Sequence, residues 1–199
     1  LETIPKSVDE YLSSQVSFFK QDKKTKLANP VFHIHNGNPP EEENNVSFSL
    51  LLNLVSVCHT QDPKVIWHYI TRYYKDISED NSPFLKKLIN FSISYYKEFI
   101  LPNKRYRAPK LNERVALLEL SNLLKELKGD VTPEAIQQIV YDVGKKNPID
   151  FPNLRDWFKA LYEILLGQEQ GPRMGSFIVL YGIKETIKLI EEVLEKTDG

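Results

Sequence analysis

Prolines that directly follow a helix-capping side chain are the feature that most constrains how this chain folds. They occur as Asp62-Pro63, Ser82-Pro83 and Thr132-Pro133. At such a pair, the side-chain oxygen of the first residue accepts a backbone N–H that lacks a partner in the first turn. Proline has no N–H to satisfy there, and its fixed backbone angle suits the first helical position. Each pair therefore predicts the start of a helix.

Apolar residues after these starts recur every three or four positions, as they do along one face of a helix. Helices are predicted over 5–20, 46–59 with Ser47 as the cap, 63–77, 83–99, 111–128, 132–144, 153–166 and 183–194. In the fifth of these the residues expected to face inward are Leu111, Val115, Leu118, Leu124 and Leu127. Because no alternation typical of strands competes with this pattern, the predicted fold class is all-α, a helical bundle or cage.

The first 45 residues differ in character from the rest. A helix over 5–20 is followed by a lysine-rich stretch, 20–26, and by a segment over 29–40 that we expect to be extended. Residues 36–45 read Asn-Gly-Asn-Pro-Pro-Glu-Glu-Glu-Asn-Asn, a composition typical of linkers. The sequence therefore predicts a connecting segment over 1–45, built from a short helix and extended chain, and a helical domain over 46–199.

Composition narrows the class of protein further. The chain has 199 residues, 41% hydrophobic and 27% charged, which is enough apolar surface for a core. No apolar run approaches the roughly 20 residues that span a bilayer, so no membrane partner is expected. The single Cys58 cannot form an internal disulfide, which favours a reducing compartment and predicts a cytoplasmic protein. Because the chain begins at Leu1 and its only methionine is Met174, we expect a piece of a longer protein.

The histidines and the cysteine offer little support for a metal site. In an extended segment, His33 and His35 would project to the same side, as two zinc ligands do. Zinc needs three or four ligands, however, and no further ligand of suitable spacing accompanies the pair. Cys58 follows Val55 and Val57 and is expected to be a buried, unreactive thiol. The sequence predicts no metal.

Motifs for catalysis are equally scarce. The chain contains no G-x-S-x-G, no Walker loop and no G-x-G-x-x-G. The glycine-rich run 171–175 contains Pro172, which removes a backbone amide that a phosphate cradle needs. Neighbouring carboxylates occur only in charged runs such as 41–43 and 191–192. The sequence therefore predicts no catalytic residue.

The strongest local signal is electrostatic, although the net charge of the whole chain is only −1. Residues 97–114 carry a charge of +4, from Lys97, Lys104, Arg105, Arg107, Lys110 and Arg114 against Glu98 and Glu113. Tyr95, Tyr96, Phe99 and Tyr106 lie in or beside this stretch. Basic groups next to exposed rings suit unpaired RNA, because phosphates attract the cations and bases stack on the rings. The alternative interpretation is a solvated loop whose rings are core, and the sequence leaves both open.

Several segments resemble the C-terminal part of class I lysyl-tRNA synthetases. They are 4–11 (IPKSVDEY), 29–37 (NPVFHIHNG), 47–54 (SFSLLLNL), 157–167 (WFKALYEILLG) and 171–178 (GPRMGSFI). They occur in the family's order and run from one end of the chain to the other. The pattern of a helix, a turn with glycine and proline and then a short helix is also similar to the C-terminus of glutamyl-tRNA synthetases.

The resemblance implies a fragment without the catalytic domain. In this family an N-terminal Rossmann-type domain binds lysine and ATP through a His-Ile-Gly-His-like motif and a Lys-Met-Ser-Lys-Ser-like loop, and neither string occurs here. This chain alone is therefore expected to be inactive, whereas the full-length lysine–tRNA ligase would need ATP and magnesium. Residues 1–45 would contact the tRNA stem, and 46–199 would form the helical cage that receives the anticodon. The expected partner is lysine tRNA, and the expected state is a monomer.

Candidate tRNA-binding residues follow from chemistry rather than from the resemblance. Arginine combines a flat stacking surface with a fork of donors, so Arg105, Arg107 and Arg173 are predicted to contact anticodon bases. The predicted phosphate contacts are Lys104 and Lys159, and the predicted stacking ring is Tyr106. For Arg173, an equally good alternative is a cap at a helix C-terminus. For the chain as a whole, the alternative is an all-α protein-interaction module without catalytic activity, whose exposed helix faces bind a partner.

Overall fold

The structure, a computed structural model, describes residues 3–41, 46–146 and 151–196, and every regular element in these ranges is helical. The predicted all-α class is therefore confirmed. The α-helices are α1 (Ile4–Lys20), α2 (Lys23–Lys26), α3 (Pro30–Ile34), α4 (Phe48–Cys58), α5 (Pro63–Tyr73), α6 (Pro83–Tyr95), α7 (Leu111–Glu126), α8 (Pro133–Lys146), α9 (Leu154–Leu161), α10 (Met174–Tyr181) and α11 (Ile183–Glu195). No helix in the described ranges is both long enough and apolar enough to cross a membrane.

The helix starts follow the capping chemistry that the sequence indicated. The Ser47 hydroxyl accepts the Leu50 N–H at 3.1 Å, and the Asp62 carboxylate accepts the Lys64 N–H at 2.9 Å. Thr132 caps α8 in the same way, by accepting an N–H three residues later at 3.2 Å. The exception is Ser82, whose side chain makes no capping bond although α6 begins at Pro83 as predicted. Proline at the first position is sufficient there, because it leaves one fewer N–H to satisfy.

Helix α4 forms the centre of the core. All residues from Leu50 to Val57 are buried, which is the pattern of a helix surrounded by neighbours on every side. It contacts α1, α5, α6 and α10. The Asp9 carboxylate of α1 accepts the Phe48 N–H at 2.6 Å, so the N-terminal segment is joined to the start of α4.

A very close contact between α8 and α10 organises the C-terminal half. A Cβ added to Gly175 would lie only 2.1 Å from the Pro133 carbonyl oxygen, so only glycine fits at this crossing. The Gly175 N–H also donates to Gln137 Oε1 at 2.8 Å in a buried position. Further along α8, Trp157 Nε1 donates to the Val140 carbonyl at 2.9 Å. These contacts hold α8, α9 and α10 together.

The prediction that residues 29–40 are extended was wrong for 30–37, which form a helix and a turn. Pro30–Ile34 forms α3, whose first turn is capped by the Asn29 side chain accepting the Val31 N–H at 2.9 Å. Lys23–Lys26 forms a short helix as well, capped by Asp22. The helical periodicity is too short to recognise in either segment, but both caps are local signals that were overlooked. The predicted domain boundary at residue 45 lies outside the described residues.

The inward face predicted for α7 was largely wrong. Leu111, Val115 and Leu118 are 81%, 58% and 52% exposed, whereas Leu124 is buried as expected. The face that packs into the core consists of Glu113, Ala116, Leu117, Leu120, Ser121 and Leu124. Aliphatic residues occur on nearly every side of α7, so its sequence contains two apolar stripes. Only the neighbouring helices decide which stripe is covered.

Helices α6 and α9 both continue into π-helical turns, and the ends of both lie next to the segment 104–110. Helix α6 continues as a π-helical turn, Tyr96–Ile100, and then as a 3-10 turn, Leu101–Asn103. Helix α9 continues as a π-helical turn, Tyr162–Leu166, and ends at Gly167 with a positive φ of 67°. Such insertions change the direction of the chain at a helix end. They bring the end of α6 and the end of α9 to the segment that carries the predicted RNA contacts.

Candidate functional site

Residues 104–110, which we call the strap, connect the 3-10 turn to α7 without regular secondary structure. The strap is fixed to the end of α9, because the Arg105 N–H donates to the Gly167 carbonyl at 2.9 Å. A Cβ at Gly167 would lie 2.9 Å from Lys104 Cγ and 3.1 Å from the Tyr106 ring. Glycine is therefore required at 167 both for its left-handed backbone and for the approach of the strap.

Lys104 is turned into the protein rather than toward solvent. Its Nζ donates to the Ser56 carbonyl near the end of α4 at 2.7 Å. The same ammonium lies 4.9 Å from the centroid of the Tyr106 ring and 5.6 Å from that of Tyr96. Burial lowers the pKa of Lys104 to about 8. The predicted phosphate contact is thus held by a carbonyl at a helix C-terminus and by two rings, both of which attract a cation.

Arg107 is held in an ion-pair network, which we call the latch and which consists of Arg107, Glu113 and Glu163. Its Nη1 and Nη2 donate to the two Glu113 oxygens at 2.6 and 2.8 Å, and its Nε donates to Glu163 Oε2 at 2.5 Å. The Glu113 side chain is only 7% exposed. Burial opposes its ionisation, but hydrogen bonds from Arg107 and from the Lys110 N–H hold the pKa of Glu113 below its usual value. The hydrogen bonds to Glu113 and Glu163 in turn raise the pKa of Arg107.

Arg105 and Tyr106 both face solvent, as Ala108 and Lys110 of the strap also do. The Arg105 guanidinium donates to the carbonyls of Pro102 and Lys104, and no carboxylate among the described residues pairs with it. Tyr106 is 49% exposed, and its hydroxyl lies 3.4 Å from His59 Nε2. Burial of the hydroxyl raises the pKa of Tyr106 to about 12, so the ring stays neutral. With Lys104 on the ring and Gly167 at its edge, Tyr106 is a fixed aromatic surface beside an arginine.

A cavity of about 520 Å³ opens beside the strap. Its walls combine the His59 and Tyr106 rings with aliphatic side chains from the π-helical turn Tyr162–Leu166 and from α11, and Glu192 and Lys196 add polar groups. The volume is within the range of small-ligand sites, and a few polar groups over an apolar floor are typical of them. Burial, followed by the charges of Lys104 and Lys196, lowers the pKa of His59. The imidazole is therefore neutral near pH 7.

The two remaining predicted contacts lie away from the strap. Lys159 of α9 is exposed, with Nζ 3.5 Å from Glu163 Oε1 and 3.9 Å from Glu169. It lines a second cavity of about 660 Å³, together with the rings of Tyr141, Phe158 and Tyr162. Lys159 reaches the strap only through Glu163, which it shares with Arg107.

Arg173 stands immediately before α10, with Nη1 3.5 Å from Glu134 of α8. The alternative of a C-terminal helix cap was wrong, because Arg173 marks the N-terminal boundary of α10 and its side chain makes no capping bond. Arg173 shares no ion pair or hydrogen bond with the strap in the described part of the chain.

Sequence analysis missed the acidic partners that organise the site. Glu113 is the third residue of α7 and accepts the Lys110 N–H at 2.7 Å, which is the glutamate half of a capping box. A glutamate at that position was a recognisable signal. Glu163 carries no such signal, because it lies 56 residues from Arg107.

The histidine pair does not form the ligand pair that an extended segment would give. His33 lies within α3 and its Nε2 is 2.8 Å from the Leu27 carbonyl, whereas His35 follows the helix and is 2.9 Å from the Tyr11 hydroxyl. Within the three described ranges, no group of three His, Cys, Asp or Glu side chains is placed to hold a metal ion. Burial raises the pKa of Cys58 to about 11, which keeps the thiol protonated and unreactive near pH 7.

Comparison with known proteins extends this description. No family model matches the chain. It is 47% identical over 195 residues to a lysine–tRNA ligase of Rickettsia bellii, covering 97% of this chain and 37% of the relative. It is 45% identical over 192 residues to the lysine–tRNA ligase of Rickettsia felis and 43% identical to that of Rickettsia rickettsii, in both cases covering 96% of this chain and 36% of the relative.

The fold and the strap define an all-α domain with a preformed cationic and aromatic surface. The matches then identify the chain as a relative of the lysine–tRNA ligases, homologous to one segment of them, and the resemblance to that family is confirmed. The chain spans a little over a third of the length of these relatives, 36–37%. What it contributes to such a ligase is therefore argued from the site.

Proposed function

We propose that this chain is the tRNA-binding, anticodon-recognising part of a class I lysine–tRNA ligase, with residues 1–45 as a connecting segment and 46–199 as the helical cage. The observation that carries the proposal is that Arg105 and Tyr106 lie side by side and exposed, on a strap whose other contacts hold it in place. The names of the relatives support tRNA as the partner. The order of the class I-like segments supports the class.

The chemistry of a splayed anticodon loop suits this surface. Unpaired bases are recognised by stacking and by hydrogen bonds to their edges. The lysine anticodon is rich in uridine, which stacks weakly, so polar contacts to base edges carry more of the recognition. In the proposed complex Tyr106 stacks on one base, Arg105 donates to a base edge, and the cavity beside them receives the base. Lys159 and Arg173, both exposed, contact phosphates or bases further along the RNA.

The experiment that tests the proposal is a binding titration with a lysine tRNA transcript and with the same transcript carrying an altered anticodon. Replacing Arg105 with Ala should reduce discrimination between the two by about 1–3 kcal/mol, because one base-edge contact is lost. The matched control is Lys64→Ala, which removes an exposed cation from the start of α5. Equal binding of both transcripts by the unmodified chain would overturn the proposal.

For the longer protein, we propose the complete ligase reaction. It would activate lysine with ATP and magnesium and then esterify the tRNA 3′ end, in parts of the protein that this chain does not span. The chain alone would then be a monomeric binding domain without activity. Lysine-dependent exchange between ATP and pyrophosphate, measured with this chain, should stay at background. Any exchange above background would contradict the assignment.

The second candidate function is a protein-interaction module, and the exposed apolar stripe Leu111, Val115 and Leu118 on α7 is the observation that favours it. The gene upstream of this segment separates the two candidates. A Rossmann-type domain with both signature motifs supports the ligase. A coding region without them, together with a chain that does not bind tRNA, supports the interaction module.

A further inference from the structure

We propose that Arg107 is a positioning residue whose latch with Glu113 and Glu163 holds Arg105 and Tyr106 in the RNA-binding arrangement. This inference rests on the proposed function. It predicts an effect on RNA binding opposite to the one expected from net charge alone. Neutralising the acidic residue Glu113 weakens RNA binding, although it makes the protein more positive.

The donor fork of Arg107 is already occupied. An arginine that reads a base offers two parallel N–H groups to the base edge. In Arg107 the terminal nitrogens are bound to both oxygens of Glu113, and Nη1 also lies 3.3 Å from the Ala108 carbonyl. The remaining Nε is bound to Glu163. RNA would have to break a partly buried, bidentate ion pair before it could use this side chain.

The two partners of Arg107 are themselves fixed. Glu113 lies in the first turn of α7 and accepts the Lys110 N–H, so it is tied to the end of the strap. Glu163 lies in the π-helical turn Tyr162–Leu166, and the residue after this turn, Gly167, accepts the Arg105 N–H of the strap. Arg107 thus joins the strap to two helical elements at once. Because Tyr106 and Arg105 are one and two residues away, their backbone is held as well.

A strap that is already held in place lowers the free-energy cost of binding. A loop that must be ordered when a ligand binds loses affinity, since each immobilised side chain costs free energy. A latched strap has already lost that freedom. Opening the latch should therefore lower the affinity for RNA without removing a contact to a phosphate.

The test compares Glu113→Gln with the unmodified 199-residue chain in binding a lysine tRNA transcript between about 50 and 200 mM salt. We expect Glu113→Gln to bind about tenfold more weakly, the equivalent of one or two side chains that must be ordered again on binding. The slope of log affinity against log salt should not change. Arg107→Ala should behave alike, whereas loss of a phosphate contact would flatten the slope by about 0.7–0.9. The double variant, with Glu113→Gln and Arg107→Ala together, should bind no more weakly than either single variant. Arg107→Lys keeps the charge and should bind more tightly than Arg107→Ala.

The matched control is Glu119→Gln, also on α7. Glu119 is ion-paired with Lys146 of α8 at 2.6 Å and has no bond to the strap. Its neutralisation should leave RNA binding unchanged or slightly tighter. If Glu113→Gln and Glu119→Gln both bind RNA more weakly, the effect belongs to α7 in general and the proposal is overturned.

A readout without RNA separates this inference from the proposed function. Trypsin cleaves after Arg105, and the rate at that bond reports how firmly the strap is held. The rate should rise in Glu113→Gln and not in Glu119→Gln, with helix content by circular dichroism unchanged in both. Equal cleavage rates, or RNA binding by Glu113→Gln as tight as that of the unmodified chain, would overturn the positioning role. An unmodified chain that binds no lysine tRNA would overturn the proposed function, and the trypsin comparison would still decide whether the latch holds the strap.

Discussion

The strap and the C-terminal surface present the same kinds of cationic side chain in opposite ways. On the strap, Lys104 and Arg107 point into the protein and bind a helix carbonyl and two carboxylates. On the C-terminal surface, Lys159 and Arg173 are exposed, with their nearest carboxylate oxygens at 3.5 Å. All four were predicted from the sequence to contact tRNA, the two lysines at phosphates and the two arginines at bases.

The difference shows that a cation is available to a partner only where the protein does not need it. Solvent-exposed ion pairs contribute little to stability, because water and salt screen them. A partly buried pair cannot be broken cheaply, because its carboxylate would remain without a partner in a poorly solvated position. The basic stretch 97–114 is therefore in part a structural feature, and its charge overstates the number of cations that are available to a partner.

Breaking the latch should give the largest effect on stability. Arg107→Ala leaves Glu113 buried without its cation, and we expect it to lower the free energy of unfolding by about 3 kcal/mol. Urea denaturation followed by circular dichroism measures the change. Arg105→Ala, two residues away on the same strap, should change stability by less than about 0.5 kcal/mol. Equal costs for the two variants would remove the distinction between held and available cations.

The approach of the strap to α9 can be tested at Gly167. Gly167→Ala forces a side chain into a positive φ and against Lys104 and Tyr106, and we expect a loss of about 2 kcal/mol. The matched control is Gly129→Ala, because Gly129 also has a positive φ of 73° but nothing within 4 Å of an added Cβ. That variant should lose only about 1 kcal/mol. Thermal or urea unfolding of both measures the difference, and two equal losses would show that the strap does not press on Gly167.

The buried ammonium of Lys104 should make stability depend on pH. Between about pH 8 and 10.5 the folded chain has released the Lys104 proton, whereas the unfolded chain, with a pKa near 10.5, still holds it. The unfolded state then binds more protons, so stability rises with pH over this window. The free energy of unfolding, measured from pH 7 to 10, should therefore increase for the unmodified chain relative to Lys104→Met. Two parallel profiles would contradict the burial of Lys104.

The exposed cations should give the smallest effects on stability. Lys159→Ala and Arg173→Ala should each change the free energy of unfolding by less than about 0.5 kcal/mol, because their ion pairs are solvated. In tRNA binding each should flatten the salt slope by about one phosphate contact. A stability loss above about 1 kcal/mol in either variant would show that this residue is held by the protein, as Lys104 and Arg107 are.

Much of the fold could be predicted from the sequence. The starts of α4, α5 and α8 follow from Ser47, Asp62 and Thr132, since a cap and the amide it binds lie within three residues of each other. The glycine that ends the π-helical turn at 167 is equally local. The family resemblance was also present in the sequence, and homology to lysine–tRNA ligases confirmed it.

The candidate site could be predicted only in part. The residues of the strap were identified, but not the direction in which each side chain points. Lys104 binds a carbonyl 48 residues away, and Arg107 binds a carboxylate 56 residues away. Periodicity and charge counts contain no information about such distant partners.

The helical class and most helix boundaries follow from local sequence, because capping and periodicity act between residues a few positions apart. Which stripe of α7 is buried, and which cations remain exposed, depends instead on how the helices pack against one another. Both outcomes depend on desolvation, and whether a side chain is desolvated is set by elements that are distant in sequence and close in space.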